Sequence, residues 1–130
     1  MPTFETAEEM QEVLRAMAEL MQVDAALLRA SKGKNLTISY EFPDLDVFFY
    51  TNFLDGSVEA GLDEWEDADI QLTMDSDIFD GMFTGRVNAA KAAMKGELAF
   101  SGNVASAMRL QGLMDDFKRL YMQAKGQAHP

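Results

Sequence analysis

The first part of the chain carries a helical pattern of apolar positions. Thr6 and Glu9 have the spacing of a capping box, S/T-x-x-E, which marks a helix start. Asp24 can cap a further short turn through Leu27 and Leu28. The apolar residues of the first helix recur at three- and four-residue steps, so they share one face: Met10, Val13, Leu14, Met17, Leu20 and Met21.

From residue 35 the period changes to two, which is typical of half-buried strands. Pro43-Asp44 marks a turn, and Asp55-Gly56 is a strong hairpin signal. Four consecutive strands with short connections predict an antiparallel meander. The alternation places these strands at residues 35–42, 45–53, 58–62 and 68–74.

The helical period then returns in two short segments. Asp75 or Ser76 can cap a helix that Gly85 ends. Asn88 can cap a second helix, which ends at Gly96. Both helices carry apolar residues on one side, so we expect both to pack on the sheet.

The remaining sequence predicts a short fifth strand over residues 98–101 and a last helix over residues 104–121. Residues 124–130 are expected to be frayed. The order of elements predicts an α+β fold: a five-stranded, mainly antiparallel sheet covered on one face by helices. We expect one domain over residues 1–130, since neither a linker nor an internal repeat interrupts the pattern.

Composition and net charge limit the classes of partner that the protein is expected to bind. Of the 130 residues, 48% are apolar and 25% are charged, which is the composition of a globular domain. Twenty-two acids against eleven Lys and Arg give a formal charge of −11. That balance argues against nucleic acid as a partner, and against more than transient contact with an anionic membrane.

The chain contains no cysteine, which excludes disulfides, thiolate zinc sites and cysteine nucleophiles. The calcium-loop template fails around Asp75–Asp80, because Phe79 stands at a ligand position. We therefore expect neither a metal nor a cofactor. The N-terminus resembles neither a secretory signal nor a transit peptide, and the default location is cytoplasmic.

Catalytic residues are not indicated. The single histidine, His129, lies next to the C-terminus, and a general base needs a fixed geometry. Nucleophile-elbow, P-loop and dinucleotide motifs are absent. The neighbouring acids fall in turns or on a polar helix face, where acids are usually solvated, so we expect a protein that is not an enzyme: Asp44 and Asp46, Asp63 and Glu64, Asp115 and Asp116.

Ten methionines and nine phenylalanines form the chain's most unusual feature. Flexible methionines recur on surfaces that accept many apolar shapes, although they also fill ordinary cores. Gln111 lies at the edge of the apolar stripe of the last helix, where it suits either a pocket with one polar group or an exposed flank. Both alternatives remain open at this stage. Residues predicted to face the sheet from three helices are Met82, Phe83, Met94, Met108, Leu113, Met114 and Phe117.

Residues 66–114 resemble the C-terminal half of the type-two sterol carrier protein family. No single motif is specific, whereas the ordered set is. Residues 34–62 fit the family's strands in pattern, and the first helix fits in position. The matching motifs are DIQLTM (69–74), TGR (84–86), NAAKAAMKG (88–96), LAFSGN (98–103) and AMRLQ (107–111).

This resemblance implies an apolar tunnel between the sheet and the helices. It implies non-catalytic binding and transfer of a fatty acid, fatty acyl-CoA, sterol or phospholipid. Ala89 departs from the family's proline, and the C-terminus lacks a peroxisomal Ser-Lys-Leu signal, which suggests a stand-alone, bacterial-type member. The candidate lipid-binding residues are Phe49, Met82, Phe83, Met94, Phe100, Met108, Gln111, Met114 and Phe117.

Two other functions stay open at this stage. One is a scaffold that holds an apolar intermediate, such as an isoprenoid quinone, for partner enzymes. The other is a filled-core domain that forms a homodimer through Phe48, Tyr50 and Trp65.

Overall fold

The computed structural model describes residues 3–128, and only the backbone at residues 104, 127 and 128. The helices are α1 (Ala7–Val23), α2 (Ala25–Ala30), α3 (Ser76–Thr84), α4 (Ala89–Met94), α5 (Val104–Gln111) and α6 (Met114–Ala128). The strands are β1 (Asn35–Phe42), β2 (Val47–Leu54), β3 (Val58–Gly61), β4 (Ile70–Met74) and β5 (Leu98–Gly102). The predicted α+β class with a five-stranded sheet is confirmed.

The sheet is mixed, with the strand order β3-β2-β1-β4-β5. Strands β1, β2 and β3 form the predicted meander. The prediction that β4 continues this meander is wrong, because β4 pairs in parallel with β1. Period-two alternation identifies a strand's buried face but says nothing about which strand lies beside it. β5 then pairs antiparallel with β4, so three of the four pairings are antiparallel.

Residues 62–69 connect β3 to β4 across two intervening strands. That crossing needs about 14 Å at a strand spacing of about 4.8 Å, and a connection of this length reaches roughly 26 Å. It passes over the sheet face that the helices leave open, where the Trp65 ring lies 5.0 Å from the Tyr50 ring. We call this side the outer face.

Side-chain caps begin most of the helices. The Thr6 hydroxyl accepts a 3.2 Å hydrogen bond from the Glu9 amide, as the capping box predicts. Asn88 caps α4 and Asn103 caps α5 in the same way. Asp24 caps α2 through the Leu27 amide. Each cap satisfies an amide that the first helical turn leaves unpaired.

The last helix differs from the prediction in two ways. It breaks at Gly112 and Leu113 into α5 and α6. It also continues to Ala128, which corrects the prediction of a frayed segment from residue 124. Ala124 is fully buried against the core, and that burial holds the last turns in place. His129 lies outside the described residues.

An aromatic cluster joins the sheet to α3 and α6. The Phe79 ring packs edge-on against Phe42 at 5.0 Å and against Tyr121 at 5.3 Å. Phe83 lies 4.4 Å from Phe79 on the same helix. Such pairs add to the gain from burying the rings. This cluster fixes α3 and α6 relative to the sheet, whose inner face also carries Tyr40.

Asp80 on α3 is buried and accepts hydrogen bonds from Tyr121 (2.6 Å), Lys125 (2.8 Å) and Arg86 (2.8 Å). Burial opposes its ionisation, but the bonds from Lys125, Tyr121 and Arg86 outweigh burial and hold the pKa of Asp80 below its ordinary value. Burial and the bond to Asp80 raise the pKa of Tyr121. The carboxylate thus locks α6 onto α3.

Arg119 forms a second link at the other end of this layer. Its guanidinium donates to both carboxylate oxygens of Asp24, at 3.0 and 2.6 Å, and to Asp116 at 3.1 Å. The bond from Arg119 lowers the pKa of Asp24. Since 45% of the Arg119 side chain is exposed, water screens this pair, and we assign it about 1 kcal/mol at most.

Two glycines are expected to respond oppositely to alanine. Gly102 has φ of 149°, and an added Cβ would lie 2.7 Å from the Asp69 carbonyl oxygen, so Gly102→Ala should cost about 1–3 kcal/mol. Gly112 has φ of −67°, and an added Cβ would meet only ordinary contacts. Gly112→Ala should therefore stabilise the fold by about 0.4–1 kcal/mol. Urea unfolding of both variants measures the difference, and equal midpoints would contradict it.

Candidate functional site

A cavity of about 230 Å³ lies between the sheet and the helices. Its floor is formed by β1 and β4, and the edge strand β5 and helices α3 to α6 enclose it. Twelve residues line it: Tyr40, Leu72, Met82, Phe83, Ala89, Leu98, Phe100, Ala107, Leu110, Gln111, Met114 and Phe117.

Half of these residues belong to one continuous stretch, residues 86–111, which we call the roof segment. It contains α4, β5 and α5. Its lining residues include Phe100, of which 44% is exposed, and the half-buried Leu110. The walls from β1, β4, α3 and α6 are mainly buried. The cavity therefore has a fixed floor and a partly exposed roof.

Only two of the lining side chains carry a polar group, Tyr40 and Gln111. The Tyr40 hydroxyl shares a 3.1 Å hydrogen bond with the buried Thr51 hydroxyl, away from the cavity. Burial raises the pKa of Tyr40, so this hydroxyl stays protonated. Gln111 is exposed. The interior thus offers apolar contact, and the amide of Gln111 lies at the mouth.

Six of the nine candidates from the sequence line this cavity: Met82, Phe83, Phe100, Gln111, Met114 and Phe117. The other three lie elsewhere. Phe49 is buried in the core, where its ring lies 5.4 Å from the Tyr40 ring. Tyr40 pairs with Phe49 on one side and with Leu72 on the other, so Phe49 lies farther along the same row, beyond the cavity floor.

The prediction that Met94 and Met108 face the sheet is wrong, since they are 87% and 66% exposed. Helix α4 spans fewer than two turns and buries Ala92, which places Met94 on the opposite side. Ala107, Leu110 and Met114 recur at helical steps and line the cavity, whereas Met108 lies one position, about 100°, away from Ala107 around the helix. The helical period of the sequence therefore already contained this information for α5.

Sequence reasoning missed six lining residues. The register aligns Tyr40, Leu72 and Phe100 in one row across the sheet, so the strand alternation already contained a signal for the first two. Leu98 lies two positions before Phe100 on the same face. Leu110 has helical spacing with Met114 and Phe117, so the periodicity of the last helix contained a signal for it as well. Ala89 and Ala107 carried no distinct signal, because small residues on short helices occur equally on surfaces.

The cavity is smaller than the roughly 300–1,000 Å³ typical of pockets for small molecules. A long chain would therefore need extra room. Met82 and Met114 line the wall, and unbranched methionine side chains change rotamer readily. The half-buried Ala107 and Leu110 hold α5 less firmly than the core holds α6. We therefore expect α5 to be the part of the roof segment that yields.

Other features of the described residues add no chemistry to this cavity. Within residues 3–128, no group of three or more His, Asp or Glu side chains could hold a metal ion. In the same part of the chain, no helix is both long and apolar enough to cross a bilayer. Tyr50 and Trp65 pack on the outer face, so they do not line the cavity.

Comparison with known sequences gives a family match over most of the chain. The model of the SCP-2 sterol transfer family matches residues 14–115. A fatty acid-binding protein from Yarrowia lipolytica is 42% identical over 48 residues. That alignment covers 37% of this chain and 37% of the relative, so it spans little more than a third of the relative's length.

Solved structures share the fold. The sterol carrier protein domain 2 of Helicoverpa armigera matches with a TM-score of 0.66 and 19% identity, covering 85% of this chain and 89% of that chain. The sec-alkylsulfatase Pisa1 from Pseudomonas sp. matches with a TM-score of 0.56 and 15% identity, covering 72% of this chain and 14% of that chain. These likenesses concern the fold alone. The family match and the five-stranded α+β architecture agree, and the chain belongs to the SCP-2 sterol transfer family.

Proposed function

We propose that this protein binds and transfers a lipid with a long acyl chain, without catalysis, in the cavity beneath the roof segment. The observation that supports this most is the wall of the cavity, where ten of twelve side chains carry no nitrogen or oxygen. The SCP-2 family is one of lipid-binding carriers, and the Yarrowia lipolytica relative is a fatty acid-binding protein. A fatty acid is accordingly the first ligand to test.

The polarity of the site indicates how the ligand lies. Burying an unpaired carboxylate in an apolar cavity is costly, whereas burying methylene groups is favourable by about 0.8 kcal/mol each. The acyl chain therefore occupies the cavity, between Met82, Phe83 and Phe117. The head group stays at the mouth, where the Gln111 amide can donate a hydrogen bond.

Affinity is expected to depend on chain length more than on the head group. Each added methylene should tighten binding about fourfold, until the chain fills the expanded cavity. Saturated fatty acids of graded length, competing against a fluorescent fatty acid, measure this dependence. The matched methyl esters test the head group. Equal affinity for all chain lengths would contradict binding within the cavity.

The direct test is native mass spectrometry of the purified protein, followed by organic extraction of whatever it carries. An added mass that resolves into a fatty acid or phospholipid supports the proposal. An extracted quinone would point to the scaffold alternative instead. If the protein shows the mass of the ligand-free chain, also after incubation with fatty acids, the cavity does not open and the proposal fails.

A further inference from the structure

The roof segment differs in charge from the rest of the chain. Residues 86–111 hold four Lys and Arg against one acid, a charge of +3. The remaining residues hold seven basic residues against 21 acids, a charge of −14. The net charge of −11 therefore conceals a positive region at the cavity.

The basic side chains of this segment are exposed. Lys91, Lys95 and Arg109 all lie on the surface of α4 and α5 or at the α4 C-terminus. Within residues 3–128, none of these three takes part in an ion pair. The fourth, Arg86, bonds to Asp80. Three cationic groups are thus available on the solvent side of the cavity roof.

Exposed apolar side chains accompany these cations. Of the seven large hydrophobic side chains exposed among the described residues, three belong to the roof segment. They are Met94, Met108 and Phe100, and Phe100 also lines the cavity. Burying these side chains would remove apolar surface from water at the place where a ligand would pass. A short amphipathic helix with cations beside apolar residues suits the interface of an anionic bilayer.

The long first helix has the opposite character. It buries its apolar face in the core and exposes Glu8, Glu12 and Glu19 against Arg15. An anionic surface would repel that face. The roof segment is therefore the region whose charge complements an anionic bilayer.

We propose that the roof segment docks this protein transiently on an anionic lipid bilayer, with Lys91, Lys95 and Arg109 near the lipid phosphates and Met94, Met108 and Phe100 at the acyl boundary. This inference rests on the proposed function, because docking through the roof segment brings the cavity mouth to the lipids. The negative remainder of the chain limits the time spent docked and favours release.

Flotation with vesicles tests the docking. Wild-type protein should float with phosphatidylcholine vesicles that contain about one third phosphatidylserine at low ionic strength, and much less with phosphatidylcholine alone. Binding should fall as salt rises, because screening weakens the attraction. Equal binding to both kinds of vesicle, or binding to neither, would overturn the proposal.

A pair of triple variants locates the docking surface. Replacing Lys91, Lys95 and Arg109 with Gln should lower vesicle partitioning on the order of a hundredfold. The matched control replaces Arg15, Lys32 and Lys118 with Gln. These residues are exposed outside the roof segment, so the control changes the net charge equally. The control should keep most of the binding. An equal loss in both triple variants would mean that net charge alone acts, and the roof segment would not be the docking surface.

Binding of a fluorescent fatty acid without vesicles separates this inference from the proposed function. Fatty acid binding by wild type and by the roof triple variant, with vesicle binding lost only in the variant, supports both. Vesicle docking through the roof without fatty acid binding would support docking and overturn the carrier function. Fatty acid binding without any vesicle docking would overturn this inference alone.

Discussion

Replacing Ala107 by phenylalanine is expected to weaken binding of a long-chain fatty acid by about a hundredfold or more. Ala107 is half-buried on α5 and lines the cavity, so the added ring would occupy space that the acyl chain needs. Excluding four methylenes at about 0.8 kcal/mol each removes roughly 3 kcal/mol of binding energy. Displacement of a fluorescent fatty acid, measured with palmitate as competitor, gives the affinity.

Ala105 provides the matched control on the same helix. It is exposed and does not line the cavity, so Ala105→Phe makes the same substitution outside the site. We expect it to bind the fatty acid as wild type does. Thermal unfolding of both variants checks that the fold is intact, since overpacking can itself cost about 1–3 kcal/mol. Equal affinity of Ala107→Phe and wild type would place the ligand elsewhere.

The Asp80→Asn substitution is expected to lower the free energy of unfolding by about 3–5 kcal/mol at neutral pH. The change leaves Lys125 and Tyr121 facing a neutral amide in a buried place, where the carboxylate now accepts bonds from both. Arg86 contributes less, because 56% of its side chain is exposed to screening water. Urea unfolding, followed by circular dichroism, measures the loss.

Asp75→Asn is the control for this loss. Asp75 is exposed, and its side chain makes no capping bond to α3, so the change should stay within about 0.5 kcal/mol. Similar losses in both variants would show that α3 responds to its overall charge, and not to the bonds of Asp80.

At acid pH, the difference in the free energy of unfolding between wild type and Asp80→Asn should become smaller. The folded pKa of Asp80 is depressed, so its stabilising contribution is complete above the unfolded pKa of about 3.9. The contribution is lost as the pH falls through the folded pKa, where the carboxyl is protonated in both states. Unfolding at neutral pH and near pH 3 tests the sign. A difference that widens in acid would contradict the assignment.

Local patterns in the sequence predicted most of the elements well. The period-two run over residues 35–42 is strand β1, and the capping box at Thr6 begins α1. These features depend on neighbours in the chain, which a sequence displays directly. The pairing of β4 with β1 depends on which strand lies beside which, and alternation in a single strand contains no such information.

The candidate site shows the same difference between features that depend on chain neighbours and features that depend on tertiary arrangement. Met82, Phe83 and Phe117 belong to well-defined apolar faces and do line the cavity. Met94 and Met108 share the residue type but face solvent, because each lies off the helical face that its buried or lining neighbours define. Gln111, predicted at the edge of the apolar stripe and again by the resemblance, is exposed and lines the cavity. Periodicity identifies residues that share a face, not what covers the face.

The continuity of the roof segment has a consequence for how such a protein can diversify. Residues 86–111 leave the core after α3 and return to it at α6, and few of their side chains are buried. The aromatic cluster and the Asp80 network, which hold α3 and α6 together, lie mainly outside this stretch. Substitutions at the exposed positions of this block, Gly102 excepted, can therefore alter the rim and part of the wall of the cavity at little cost to folding. The rim of the cavity can thus change during evolution while the core of this chain is kept.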